Sequence, residues 1–435
     1  MNHPAPASVR LSSIGNPLAV TATRASWTLG QGLGAVLAAV ILITWPTTTA
    51  LRLVVLLSGA LALLPWTVAR LRHNPRSPWW AWSPLVLGAS VLAWSLISAL
   101  GSGAPWALSL YGWYGRDNGI LMLLGVSTLL ATGAALRKSE VRTTLWWVIA
   151  AASTAALVSI AQALGVDIFT NPLDYGGATS LLGNPNFAAG FFAITTLIAL
   201  GLTLRSDSSG KVRIVGGVAT ALQVVGLVLA TSQQGPAALI AGLLAGAVLV
   251  GLSSSRQIMR LASAAFGGVA VLGAAGLGVL LLTGAGPLAA ILRTDTLAVR
   301  VEYWKASWGT MLGLPAFGTG PDGLSRYIAE FRPESYVAAP GLGPATRVDS
   351  AHNVALQFGA TLGLIGLILW IAFALSVTVL IVWLAWGWAR RQEAGQPWLL
   401  VTVGAAWVAY LTQSLVSIDM AVLVALGWTL AGMAV

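Results

Sequence analysis

Apolar runs of bilayer length recur along the whole of this 435-residue chain, broken only by short polar connectors. Backbone amides cannot find water in hydrocarbon, so a segment that crosses it must satisfy them internally. Only helices and closed barrels do so. These runs are continuous rather than alternating, so they read as helices. About twelve runs reach the ~17–25 residues that a span requires. They lie at roughly 28–45, 51–69, 81–101, 119–136, 143–164, 187–204, 214–232, 236–252, 261–284, 361–387, 397–418 and 420–435. Only 8% of the residues are charged, against about 25% in a soluble domain. The expected fold is an all-α polytopic membrane protein, with residues 1–435 forming a single integral membrane domain.

The distribution of charge orients the bundle. Arg70, Arg72 and Arg76 follow the second run, and Arg137, Lys138 and Arg142 the fourth. Arg205, Lys211 and Arg213 follow the sixth, Arg256 and Arg260 the eighth, and Arg390 and Arg391 the tenth. Every second connector is basic, and Arg10 and Arg24 precede the first run. The positive-inside rule then puts both termini in the cytoplasm. Arg52, at the outer end of the second run, is an exception. The net charge of +10 is explained by these connectors, so no nucleic-acid partner is expected. Residues 1–27 lack a short apolar segment with a small-residue cleavage site, so no cleaved signal peptide is expected. The absence of cysteine excludes disulfides, thiolate metal sites and cysteine nucleophiles. The spans carry few ionisable groups, and no internal repeat is evident. Both weigh against a lipid-linked sugar transporter, the reading from another functional class.

One interval departs from this pattern. Residues 285–351 hold twelve of the chain's 36 charged residues (23 basic, 13 acidic) in under a sixth of its length. With six bases and six acids, the interval is no simple anion funnel. The topology makes 285–360 a long extracytoplasmic loop between the ninth and tenth spans. Of the three histidines, His3, His73 and His352, only His352 faces outward. A histidine beside Asn353 at the start of an apolar helix is a candidate general base for a hydroxyl nucleophile. It is equally a residue that satisfies backbone groups at a helix start.

Arg116, Arg293, Arg300, Arg326, Arg332 and Arg347 face the same side. Their planar forks suit phosphate oxygens, while snorkelling or ion pairing accounts for them equally well. Trp304, Trp308 and Leu312 fall at helical spacing and predict a helix along the membrane surface. Gly318 to Gly323, including Asp322, read as a turn. Asn184-Pro185-Asn186 reads as a helix cap or a substrate contact, and Gln233-Gln234 as satisfying helix ends or reaching substrate. No His/Asp/Glu cluster has metal-ligand spacing, so neither a metal nor another cofactor is expected.

Together, several short motifs resemble one family. They are Gly183-Asn184-Pro185-Asn186-Phe187, Thr231-Ser232 with Gly235, Arg300 with Trp304, Gly318-x-Gly320-Pro321-Asp322-Gly323, and Ala351-His352-Asn353 with Gly359 and Gly363. Their order, with about twelve helices and one long loop near the C-terminal third, is similar to the O-antigen ligase and polymerase superfamily of bacterial membrane glycosyltransferases. The resemblance implies a GT-C-like fold in the inner membrane. It implies inverting, metal-independent transfer of a glycan from undecaprenyl diphosphate on the periplasmic face. The acceptor would be lipid A-core in a ligase, or a second lipid-linked glycan in a polymerase of O-antigen or exopolysaccharide. It implies His352 as the base and Arg300 and Arg116 as diphosphate ligands. Arg347, Asn353, Gln233, Gln234, Asn184, Asn186 and Asp322 are further substrate-binding candidates. The family often has Ser-Arg-Gly where this chain has Ser232-Gln233-Gln234-Gly235. An uncharged amide cannot match a guanidinium against diphosphate charge.

Overall fold

The computed structural model describes residues 27–43, 49–73, 78–166, 176–205, 207–283, 295–339, 341–346, 348–388, 390 and 397–435. Among them there are helices and connecting segments but no strand. The bundle begins with α1 (Leu29–Leu42), α2 (Thr49–Arg72), α3 (Ser83–Gly101), the short α4 (Trp106–Tyr111), α5 (Ile120–Ala134) and α6 (Lys138–Ala163). It continues with α7 (Pro185–Leu204), α8 (Gly210–Leu229), α9 (Gln234–Leu252) and α10 (Gln257–Thr283). The polar interval supplies α11 (Asp295–Gly313), α12 (Leu324–Phe331) and α13 (Glu334–Ala338). Then come α14 (Val354–Trp388), α15 (Trp398–Ser414) and α16 (Ala421–Met433). Each expected apolar run therefore carries a helix. Eight helical segments are long and apolar enough to cross a membrane, while α1, α5 and α16 are shorter apolar helices.

The bundle is organised around α7. Asn184 caps it, its side-chain oxygen accepting from the Asn186 amide at 2.8 Å, and Pro185 occupies the first turn. The cap satisfies an otherwise orphaned donor, and proline costs nothing where no intrahelical N–H bond is made. Phe191, Phe192, Ile194 and Ile198 are fully buried, with α8, α9 and α15 packed around the helix. By contrast α10 buries none of its residues within the protein, so its apolar sides are left for lipid.

From residue 295 on, the described part of the polar interval carries three helices rather than an open loop. Ala306, Leu324, Ile328, Tyr336, Val348, Ala351 and Ala360 form a second, smaller hydrophobic cluster beside the main core. It is joined to the bundle at a break in α14. Gly363 stands at φ 73°, and a side chain there would meet the Pro315 carbonyl at 2.6 Å. Glycine alone takes this left-handed backbone without steric cost. Through the gap, Leu364 N–H donates to Pro315 O at 2.9 Å and Thr319 N–H to Ala360 O at 3.0 Å. Ser98 Oγ donates to Phe317 O at 2.7 Å. The tenth run, expected from 361, thus belongs to a helix that starts seven residues earlier and breaks close to that position.

Arg52, the outward exception to the charge alternation, is 1% exposed and serves the backbone. Its guanidinium donates to Ile43 O and Leu181 O, each at 2.6 Å from Nη2. It thereby ties the start of α2 to the segment that leads into Asn184.

Candidate functional site

The N-terminus of α7, the 112–118 loop, α11, the end of the polar interval and the connector after α15 converge on one cavity of about 390 Å³. Arg116, Asn184, Asn186, Arg300, Asp349 and His352 all line it. The 112–118 loop, α11 and the end of the polar interval thus put two guanidinium groups, an imidazole and a carboxylate around one space.

His352 is held in the left-handed region at φ 51°. Such a conformation is uncommon for a residue with a side chain, and it is held here by several contacts. The backbone N–H of His352 donates to Ser350 Oγ at 3.2 Å, and its carbonyl accepts from Trp304 Nε1 at 3.5 Å. The ring lies 5.2 Å from that of Tyr303, tilted by 41°. Nδ1 is 3.2 Å from the Ser350 carbonyl oxygen. A carbonyl can only accept, so Nδ1 carries the proton and Nε2 of the neutral ring keeps its lone pair. Burial pulls the imidazole down to about 4, and the nearby Arg300 and Arg116 charges push the same way against the Ser350 hydrogen bond. The ring is therefore neutral near pH 7, in the form that can accept a proton.

The two arginines differ. Arg116 is committed to Asp349 in a bidentate pair, Nε to Oδ2 at 2.8 Å and Nη2 to Oδ1 at 3.1 Å, with both side chains 25% exposed. Arg300 has no hydrogen bond or ion pair among the described residues. Burial lowers its pKa, while Tyr303 opposes the shift. An incompletely solvated, unpaired guanidinium facing a cavity attracts an anion. Asp349 belongs with Ser350, Ala351, His352 and Asn353 to the end of the polar interval, and both Asp349 and His352 reach the cavity. The signal for Asp349 was its place three residues before His352.

The other candidates divide. Asn353 caps α14, accepting from the Leu356 amide at 3.0 Å, and donates to Leu415 O at 3.0 Å, so its amide serves the backbone. Gln233 is exposed and does not line the cavity. Gln234 is buried behind it, donating to Asn186 O and, at 3.5 Å, to Ser417 Oγ. Ser232 Oγ donates to Asn186 Oδ1 at 2.6 Å. Gln234 and Ser232 thus support the cavity wall through Asn186. Asp322 accepts from the Trp113 amide at 2.7 Å and fixes the loop that carries Arg116. Burial raises its carboxyl to about 7. It lines a smaller neighbouring cavity of about 70 Å³ that shares Arg116, Ser417 and Ile418 with the larger one.

Arg332 donates to Pro344 O at 2.8 Å and lies over the Tyr336 ring, and Arg326 lies over Tyr327. Neither lines the cavity. Arg293 and Arg347 lie outside the described residues, as do Arg10, Arg24, Arg76 and Arg391. Among the described residues no three His, Asp or Glu side chains group as metal ligands.

Residues 218–371 match the family described as O-antigen ligase. No curated protein matches the chain. Over that segment, about a third of the chain, the sequence is similar to the O-antigen ligase family. The matched segment includes Arg300, Asp349 and His352. Arg116, Asn184 and Asn186 come to the same cavity from outside it.

Proposed function

We infer that this chain, tied through residues 218–371 to the O-antigen ligase and polymerase superfamily, transfers a glycan from undecaprenyl diphosphate to a sugar hydroxyl at the periplasmic face. The ligase reaction, with lipid A-core as acceptor, is the reading proposed. The observation that carries it is the convergence of Arg116, Arg300 and the free Nε2 side of His352 on one cavity.

In this mechanism Arg300 and Arg116 hold the diphosphate. Asn184 and Asn186 sit at the start of α7, whose positive dipole end favours the same negative charge. Nε2 of His352 takes the proton of the acceptor hydroxyl as its oxygen attacks the anomeric carbon from the face opposite the diphosphate. The new C–O bond forms as the bond to the diphosphate oxygen breaks. The electron pair leaves with the diphosphate, where the guanidinium groups stabilise it. The anomeric configuration inverts. A bound diphosphate also offsets the positive charge of Arg116 and Arg300, so His352 becomes a stronger base once the donor is seated. Gln233 and Gln234 are not needed for the grip in this arrangement, because Arg116 comes from a different loop.

Reconstitution of the full chain with a lipid-linked glycan, offered lipid A-core or a second lipid-linked repeat, tests the assignment. A single block transferred to lipid A-core is the expected product. A ladder formed on the lipid-linked repeat would make the chain a polymerase. Translocation of the donor without transfer would make it a transporter.

A further inference from the structure

A second polar cavity, of about 480 Å³, lies at the other end of α7. The catalytic cavity touches Asn184 and Asn186 at the start of that helix, and this one touches Leu202 and Arg205 at its end. Twenty residues at ~1.5 Å each separate the two by about 30 Å, the thickness of the hydrocarbon core. The two cavities therefore sit at headgroup depth in opposite leaflets. The basic connectors around the second one, with Arg70, Arg137, Lys138 and Lys211 at the same helix ends, mark its side as cytoplasmic.

The chemistry of this cavity is that of an anion site. Arg205 is bidentate to Asp207, with Nε to Oδ1 at 3.0 Å, and its side chain is 12% exposed. Arg142 approaches the same carboxylate only to 3.9 Å and makes no hydrogen bond among the described residues. Two guanidinium groups and one carboxylate leave one positive charge, the complement of a phosphodiester. Ser139 and Ser209 add hydroxyl groups at the starts of α6 and α8, while Ser208 Oγ donates to Leu202 O at 3.0 Å and closes the wall. Both helices point their positive ends into the cavity. Trp146 and Leu202 give it an apolar side, suited to glycerol and the first methylenes of an acyl chain. The volume falls within the ~300–1,000 Å³ of small-ligand clefts.

We propose that this cavity binds the phosphodiester headgroup of an anionic phospholipid from the cytoplasmic leaflet, through Arg142 and the hydroxyls at the starts of α6 and α8. The site is separate from glycan transfer and stands or falls without it.

Phosphatidylglycerol is titrated into the full chain held in phosphatidylcholine micelles, and bound lipid is counted by native mass spectrometry. Arg142→Gln is expected to raise the apparent Kd about fivefold, the weight of one basic residue near an anionic surface. Lys211→Gln removes a charge from the same end but outside the cavity, and is expected to leave the Kd unchanged. Ser139→Asp places a carboxylate in the first turn of α6, where it favours the helix, and is expected to abolish phosphatidylglycerol binding. An unchanged thermal midpoint of this variant in phosphatidylcholine would separate lost binding from lost fold. Wild-type affinity in Arg142→Gln, or equal weakening by Lys211→Gln, would overturn the proposal. Displacement of phosphatidylglycerol by inorganic phosphate at equal concentration would assign the site to free phosphate and overturn it as well.

Discussion

Asp349 occupies the fork of Arg116, so if Arg116 grips the donor diphosphate as proposed, Asp349→Asn is expected to tighten donor binding. The carboxylate makes two charge-assisted bonds, at 2.8 and 3.1 Å, and both side chains are 25% exposed. Hydrogen bonds to charged groups contribute ~1.5–3 kcal/mol when enclosed, and exposed ion pairs ~0.2–1 kcal/mol. A partly exposed pair falls between these ranges, at ~1 kcal/mol, or about fivefold in Kd. Asparagine keeps the shape and one acceptor but gives up the charge. It also removes a carboxylate that repels the incoming phosphate. Undecaprenyl diphosphate binding to the detergent-solubilised chain, followed by calorimetry, reads the effect. Arg116→Gln is expected to weaken binding, and Asp349→Asn added to Arg116→Gln to restore only the share that comes from lost repulsion, because the competition itself runs through one contact. Unchanged or weaker binding in Asp349→Asn alone would show that Asp349 positions Arg116 rather than competing for it, and would refute the reasoning.

Two further outcomes follow from the same geometry. The acid limb of kcat/KM should fall near pH 4, since burial above all holds off protonation of His352 until there in the free protein, and in Arg300→Gln it should move up only modestly, because one repelling charge is gone while burial remains. The unfolded chain binds that proton at a higher pH than the folded one, so His352 costs stability as pH falls through the window from about 6.5 to about 4. Gly363→Ala, at φ 73° with the Pro315 carbonyl 2.6 Å from the new methyl group, should destabilise the fold by ~1–3 kcal/mol, read as a lower thermal midpoint in detergent.

The helices could be read from the sequence because hydrocarbon imposes a length and an apolar composition that nothing else in the chain imitates. The break in α14 could not, since the φ of Gly363 is set by the 315–319 backbone inserted against it. The polar interval signalled its importance through its charge. Its charges gave no indication that Arg326 and Arg332 would turn to Tyr327, Tyr336 and loop carbonyls while Arg300 stayed unpaired. Polar residues at helix ends were legible as a class only. Asn353 and Gln234 spend their amides on Leu415 and Asn186, a choice set by which backbone groups the packing leaves open. Arg52 looked like an error in the charge pattern, and two carbonyls that no helix could satisfy explain it. The meeting of Arg116 with Asp349 spans more than two hundred residues, a separation beyond the reach of any local pattern.

Single-turnover transfer by the reconstituted chain carrying His352→Ala, measured beside donor binding by the same protein, decides whether His352 is the base. A positioned base contributes ~10²–10⁴-fold. The transfer rate should fall at least about a hundredfold, with the Kd for undecaprenyl diphosphate close to that of the unaltered chain. Turnover at the unaltered rate, or a loss that lies wholly in donor binding, would contradict that role.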